Sequence, residues 1–171
     1  MPDLPEAVPA ATLVLIREPR GGPPELLVME RTGDMAFAAG ALVFPGGRID
    51  AEDYEAAGRH PDIADAAARI AAVRETIEET GIAPAIAPMP DLATAQRLRD
   101  GIVEGLPLDH LLAGHGLSLD LAALTPFARW CPNFRETRRF DTFFFLAEAQ
   151  GGAAEPAASG REGARAFSGG A

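Results

Sequence analysis

The pattern of apolar and polar residues predicts several short strands in the first quarter of the chain. Apolar, partly β-branched runs at residues 11–16 and 25–31 are typical of strands, and the Pro- and Gly-rich segment between them favours a hairpin. A third short strand is expected over residues 41–44. It is followed by Pro-Gly-Gly at 45–47, which predicts a sharp turn that can approach a ligand closely.

The middle of the chain has the periodicity of helices. The longest helix is expected over residues 63–80, with Asp62 as its N-cap and Gly81 just after its last turn. Two shorter helices are predicted over residues 92–104 and 107–113. Strands alternating with helices place the chain in the α/β class with a central mixed sheet.

The remaining segments predict two more strands and three irregular regions. Residues 124–130 and 139–147 are apolar runs typical of strands. Residues 1–10 are acidic and Pro-rich, so we expect a flexible N-terminal arm. The polar segment 48–62 is expected to form an inserted, lid-like loop, and 149–171 is interpreted as a loose tail or a truncated last strand.

Composition restricts the partners of the chain. Its 171 residues fit one domain, and 15 Lys and Arg against 25 Asp and Glu give a formal charge of −10. This charge argues against a nucleic-acid duplex or an anionic membrane as the main partner, and no run reaches the ~18 apolar residues of a membrane helix. Cys131 is the only cysteine, so no intrachain disulfide forms, and we expect a cytoplasmic protein.

Three glutamates crowd the last turns of the predicted long helix: Glu75, Glu78 and Glu79. Their i, i+3 and i+4 spacing projects them from one helix face. Each carboxylate costs about 0.3–1 kcal/mol there, because the C-terminal end of a helix carries partial negative charge. Such a cost favours a function for the charges, and hard oxygen ligands suit Mg²⁺ or Mn²⁺. The alternative is a solvated acidic face.

One basic cluster interrupts this acidic chain at Arg135, Arg138 and Arg139. A cationic clamp for a substrate phosphate is one interpretation, because guanidinium groups match phosphate geometry. The other is a solvated hairpin turn. The cluster alone does not distinguish them.

The residues at 74–82, R-E-T-I-E-E-T-G-I, together with Gly47, resemble the Nudix box, G-x5-E-x7-R-E-U-x-E-E-x-G-U, in which U is a bulky apolar residue. The chain departs from this pattern in three ways. Thr76 occupies an apolar position, and Arg74 follows Gly47 by 27 positions where the pattern has 14. Counted back from Arg74, the early glutamate falls on Ala66, so it is missing or lies within the insertion.

The long insertion, the segment 37–47 and the sequence R-R-F-D-T at 138–142 resemble the acyl-coenzyme A diphosphatase branch of this family. The resemblance covers roughly residues 11–148 and implies a Nudix-like α/β/α sandwich. It also implies metal-dependent hydrolysis of a diphosphate in a nucleoside diphosphate derivative, with coenzyme A or acyl-coenzyme A as substrate. ADP-ribose, NADH and dinucleoside polyphosphates are the alternative substrates.

The same resemblance assigns roles to individual residues. The expected ligands of Mg²⁺ or Mn²⁺ are Gly46, through its carbonyl, Glu75, Glu78 and Glu79. We expect Arg74 to orient the glutamates by bidentate pairing. Arg31 and Arg139 are candidates for phosphate contacts, and Phe140 is a candidate for stacking on a base, with core packing as its alternative.

A non-catalytic Nudix-fold module that binds a nucleotide for regulation is the competing functional interpretation. Such modules tend to lose the three glutamates, which this chain retains. The sequence around Glu162 faintly resembles a late strand of the family and ends at Ala171, before an expected helix, which keeps that interpretation open. We expect a small-molecule diphosphate as partner, and a homodimer also remains open.

Overall fold

The structure is a computed structural model that describes residues 5–19, 21–30, 41–133 and 139–149, together with the backbone of residues 163–169. The helices in this part of the chain are α1 (Ala51–Ala57), α2 (Ala66–Thr80), α3 (Leu92–Val103) and α4 (Leu108–Gly114). The strands are β1 (Ala7–Arg17), β2 (Glu25–Glu30), β3 (Leu42–Val43), β4 (Gly46–Arg48), β5 (Ile86–Ala87), β6 (Ser118–Leu119), β7 (Thr125–Trp130), β8 (Arg139–Glu148) and β9 (Gly163–Gly169).

The main sheet is mixed, as the sequence predicts. Its strand order is β3-β2-β1-β8-β7, with β4 paired to β1 and β9 paired to β2. Strands β1 and β8 run parallel from the pair Ala7–Arg139 to the pair Ile16–Glu148, and the other pairs are antiparallel. Since β8 occupies one edge of β1 along its length, β2 and β4 share the opposite edge. The expected hairpin of β1 and β2 is confirmed.

Helix α2 packs on one face of this sheet and forms the centre of the core. Because successive side chains of a strand point to opposite faces, Leu13 and Leu15 of β1 lie on the same face. Both are fully buried and share one apolar cluster with Phe145 of β8 and with Ile70 and Ile77 of α2. Among the described residues, no helix is long and apolar enough to cross a membrane.

Two segments that were expected to be irregular contain regular structure. Strand β1 begins at Ala7, inside the predicted arm 1–10, because these residues extend the ladder with β8. The predicted loop 48–62 contains α1, whose first turn is closed by a capping box in which the Asp50 amide donates to Asp53 Oδ2 at 2.9 Å. An acidic, polar segment therefore folds as a helix because two of its acids cap it.

One helix boundary differs from the prediction. Helix α2 starts at Ala66, and its N-cap is Asp65, in the left-handed region at φ 55, not Asp62. Its end is as predicted, since Gly81 has a left-handed φ of 74 and its amide donates to the Ile77 carbonyl. Strand β9 lies within residues 149–171, for which a truncated last strand was the alternative to a loose tail, and it pairs with β2.

Candidate active site

The free edge of β4 determines how α2 meets the sheet. The Leu13 amide of β1 donates to the Pro45 carbonyl at 3.0 Å. Hydrogen-bonded and non-hydrogen-bonded pairs alternate in an antiparallel ladder, so the next pair, Thr12–Gly46, is non-hydrogen-bonded. The amide and carbonyl of Gly46, and two residues later those of Arg48, therefore point away from β1.

Side chains from the C-terminal half of α2 bind these exposed backbone groups. The Gly46 amide donates to Glu79 Oε2 at 3.0 Å, and Arg74 Nη2 donates to the Arg48 carbonyl at 2.9 Å. Because the amide and carbonyl of one strand residue share an edge, the Gly46 carbonyl points to the same side as the bond to Glu79. One carboxylate and one guanidinium thus attach the end of α2 to β4.

Gly47 lets Glu75 lie directly against the strand. A Cβ at Gly47 would be 2.4 Å from Glu75 Oε1 and 2.5 Å from its carboxyl carbon. The sequence predicted a turn at 45–47, but Gly46 and Gly47 are the first residues of β4, and neither is among the glycines with positive φ. Gly47 is required here for the close approach of a carboxylate, and Gly46 for the close approach of Ala11 and Thr12 of β1; neither is needed for reversing the chain.

Arg74 connects four carboxylates. It binds Asp53 in a bidentate manner, with Nε at 3.1 Å from Oδ1 and Nη2 at 2.9 Å from Oδ2. Its Nη1 donates to Glu75 Oε1 at 2.9 Å and lies 3.6 Å from Glu78 Oε2, while Nη2 is 3.4 Å from Asp50 Oδ2. The expected orientation of the glutamates by Arg74 is present for Glu75, but the bidentate partner is Asp53.

Sequence reasoning missed Asp53, which is only 2% exposed. The signal was available, because counting forward from Gly47, instead of back from Arg74, places the early acid of the G-x5-E pattern at position 53. An aspartate stands where the pattern has a glutamate. The early acid of the pattern is therefore present, at position 53 and not at position 66. The insertion lies wholly between Asp53 and Arg74.

The electrostatics of the site are set by burial and by this crowding of charge. Burial alone would lower the pKa of Arg74, but the hydrogen bond and charge of Asp53, with the charges of Glu75 and Asp50, hold it above its ordinary value. For Glu75, burial raises the pKa; Arg74 lowers it in part, and Glu78 raises it further. The ionised form of Glu75 is thus disfavoured, and a bound cation would stabilise it.

Thr76 departs from the apolar residue expected after Glu75, and the structure shows how it is accommodated. Its side chain is fully buried, and its hydroxyl donates to the Ala72 carbonyl at 2.7 Å. The hydroxyl is therefore satisfied within the helix, while the methyl group fills part of the apolar position.

The predicted substrate residues lie away from the glutamates or outside the described residues. Arg31 is not among the described residues. Arg139 pairs with Ala7 of β1, whereas Gly46 pairs with Thr12. Ala7 and Thr12 are five positions apart, which corresponds to roughly 16 Å along the strand. Phe140 is 39% exposed, so core packing is wrong for it, and strand alternation puts it on the opposite face from buried Phe145. Its stacking on a base stays a prediction without geometric support.

The donors at the end of α2 fit a divalent cation by their chemistry. Glu75, Glu78, Glu79 and the Gly46 carbonyl are all hard oxygen groups, as Mg²⁺ and Mn²⁺ prefer. The glycine at position 47 leaves room for Glu75 beside β4. In the conformation described, no three His, Cys, Asp or Glu side chains of the described residues are grouped closely enough to hold a metal ion.

Comparison with known proteins identifies the family. No family model and no curated protein matches the chain. The crystal structure of a NUDIX hydrolase from Alicyclobacillus acidocaldarius is 32% identical, with a TM-score of 0.78 over 95% of this chain and 78% of that chain. This chain belongs to the Nudix hydrolase family. The predicted fold class and the predicted enzyme class, a Nudix-type pyrophosphohydrolase, are confirmed.

A second structure agrees at the level of the fold. The NUDIX domain of Shewanella oneidensis NrtR, crystallised with ADP ribose, is 12% identical with a TM-score of 0.53, over 96% of this chain and 73% of that domain's chain. Nudix hydrolases act on nucleoside diphosphate derivatives and generally use divalent metal ions.

Proposed function

We propose that this Nudix hydrolase cleaves the diphosphate of coenzyme A or an acyl-coenzyme A, with Mg²⁺ or Mn²⁺ held by Glu75, Glu78, Glu79 and the Gly46 carbonyl. The observation that carries the metal assignment is the contact of α2 with β4, where Gly47 admits Glu75 and the Gly46 amide anchors Glu79. When bound, the metal ions would neutralise the diphosphate and supply a water of lowered pKa as nucleophile.

The protein's own residues position this site. Arg74 holds Glu75 against the strand and is itself fixed by buried Asp53, so the carboxylate is oriented before a ligand arrives. Arg74 contacts two acids of its own helix, Glu75 and Glu78. Glu78 is the more accessible, since 41% of its side chain is exposed. In this proposal it faces incoming substrate.

Phosphate contacts are assigned to Arg31 and Arg139. Support for Arg139 comes from its Nε, which is buried and has no hydrogen-bond partner in the described part of the chain. An unsatisfied buried guanidinium nitrogen is costly, and an anionic ligand would satisfy it. Because Arg139 is distant from the glutamates along β1, we assign it to a remote phosphate of the substrate, such as one outside the diphosphate.

A hydrolysis panel tests this function. Purified protein with Mg²⁺ or Mn²⁺ is incubated with coenzyme A, an acyl-coenzyme A, ADP-ribose, NADH and diadenosine polyphosphates, in water labelled with ¹⁸O. Mass spectrometry of the products identifies the substrate and the phosphorus attacked. We expect coenzyme A derivatives to be cleaved fastest. Faster cleavage of ADP-ribose, NADH or a dinucleoside polyphosphate would replace the substrate, and five intact substrates would contradict the catalytic proposal.

A further inference from the structure

A cleft of about 210 Å³ opens beside the glutamates, between α1, α2 and the connection from α3 to α4. Arg74 and Glu78 line one side of it, so it is continuous with the candidate active site. Its volume is below the ~300–1,000 Å³ of a complete ligand pocket. The cleft can therefore hold one arm of a substrate whose diphosphate lies at the glutamates.

The floor of the cleft is apolar. Ile70 of α2, Ile102 of α3 and Leu108 of α4 line it, and each is buried. Leu106, in the connection between α3 and α4, also lines it and is 49% exposed. An organic group would cover this apolar surface, which a hydrated ion alone would not.

The rim of the cleft is acidic. Asp50, Glu52 and Asp109 line it together with the acids bound to Arg74. Asp109 pairs with Arg59, and Asp50 lies 3.4 Å from Arg74, so part of this charge is neutralised. Glu52 is exposed and forms no ion pair with the described residues. Acceptor oxygens thus surround an apolar floor, and a negative group placed there would be repelled.

The wall that carries Glu52 stands next to the inserted segment. Asp53 and Ala56 of α1 also line the cleft, and Ala56 lies in the interval between Asp53 and Arg74 that contains the insertion. The lengthened interval that distinguishes this chain from the uninterrupted box therefore contributes Ala56 to a cavity beside the glutamates.

We propose that this cleft is a specificity subsite for the arm attached to the diphosphate, and that it selects an organic group that donates hydrogen bonds and carries no negative charge. A hydroxylated group and an ammonium-bearing group share this chemistry. The subsite rests on the proposed function only for the position of the diphosphate; the nature of the arm follows from the cleft itself.

Three nucleotide sugars of similar size distinguish a hydroxylated arm, an ammonium-bearing arm and a negatively charged arm. They are UDP-glucose, UDP-glucosamine and UDP-glucuronate. Their affinities are measured by calorimetry with Mg²⁺ in the Glu79→Gln variant, in which turnover is slow. We expect UDP-glucuronate to bind about tenfold more weakly than UDP-glucose, because its carboxylate meets the acidic rim. Tighter binding of UDP-glucosamine would identify an ammonium arm, and binding equal to that of UDP-glucose a hydroxylated one.

Substitutions at Glu52 in the same background place the effect in the cleft. Glu52→Gln should reduce the discrimination against UDP-glucuronate about threefold, and Glu52→Lys should abolish or invert it. The matched controls are Glu55→Gln and Glu55→Lys, on the same helix but outside the cleft, which should leave the ratio unchanged.

Two sets of results would overturn the subsite. One is equal or tighter binding of UDP-glucuronate compared with UDP-glucose. The other is an unchanged ratio in both Glu52 variants. Failure of the proposed function is separate, since it would appear as intact substrates in the wild-type hydrolysis panel while the affinity order and its dependence on Glu52 remained.

Discussion

Arg69 and Arg74 lie five positions apart on α2, yet their surroundings are opposite. Arg69 is 7% exposed, donates to the carbonyls of Leu121 and Leu124, and lies over the Phe145 ring at 5.0 Å from its centroid. Among the described residues no carboxylate pairs with it. Arg74 is surrounded by carboxylates and holds one of them against β4.

The two halves of α2 therefore have different roles: the first contributes stability, and the second carries the candidate catalytic groups. The first half of α2 binds the segment that precedes β7 through a cation that satisfies the backbone carbonyls of that segment, an arrangement with no group left to react. The second half concentrates acids at the negative end of the helix dipole, and burial raises the pKa of Glu75. We therefore expect substitutions near Arg69 to change the free energy of unfolding, and substitutions near Arg74 to change catalysis.

The largest expected effect is on catalysis, from Glu79→Gln. The glutamine oxygen can still accept the Gly46 amide, so the contact with β4 is kept while the charge is lost. We expect kcat to fall roughly 10²–10⁴-fold, with a thermal midpoint close to that of the wild type. Steady-state kinetics and circular dichroism melting measure the two quantities. Normal turnover in this variant would remove Glu79 from the metal site.

At the other end of the helix, Arg69→Met should mainly reduce stability. It leaves the buried carbonyls of Leu121 and Leu124 without their donor, at a cost of about 2–4 kcal/mol in the free energy of unfolding. Urea denaturation measures this loss. The activity per folded molecule should stay unchanged at low temperature, and a large fall in kcat there would break the separation between the two halves.

Gly47→Ala tests the close approach of Glu75 to β4. The added Cβ would collide with the carboxylate, which can swing away at small cost to stability but loses its position. We expect activity to fall about 10- to 100-fold, because small misplacements of reacting groups are costly. Gly114→Ala is the matched control, since a Cβ there meets nothing within 4 Å. Equal activities in the two variants would contradict the role of Gly47.

The smallest expected effect is a pH-dependent difference in melting temperature that arises from Glu75. Because the folded state raises the pKa of Glu75 from its ordinary 4.5, its protonated form contributes stability below that value, and this stability is lost as the pH rises through the folded pKa. Without metal, Glu75→Gln should therefore melt a few degrees higher than the wild type at pH 7. The difference should vanish below about pH 4. A lower melting temperature at pH 7 would show that the contact with Arg74 outweighs burial.

The fold and the acids were predictable because their signals are local. The spacing of Glu75, Glu78 and Glu79 places them on one face of the helix. Gly81 marks the end of the helix, because glycine readily adopts a left-handed conformation. The strands of the central sheet follow from apolar runs bounded by Gly and Pro. Helix α1 was missed because its polar sequence lacks apolar periodicity, and its caps, Asp50 and Asp53, resemble ordinary loop residues.

The sequence by itself determined that three carboxylates end a long helix after a strand and two glycines, because helical periodicity fixes the relative directions of residues within a turn or two. Only the tertiary structure decided that Asp53 binds Arg74, that Gly47 lies under Glu75, and that an acidic cleft opens beside them. These contacts join residues 21 to more than 30 positions apart. They depend on strand register and on the path of the inserted segment, which local periodicity does not encode.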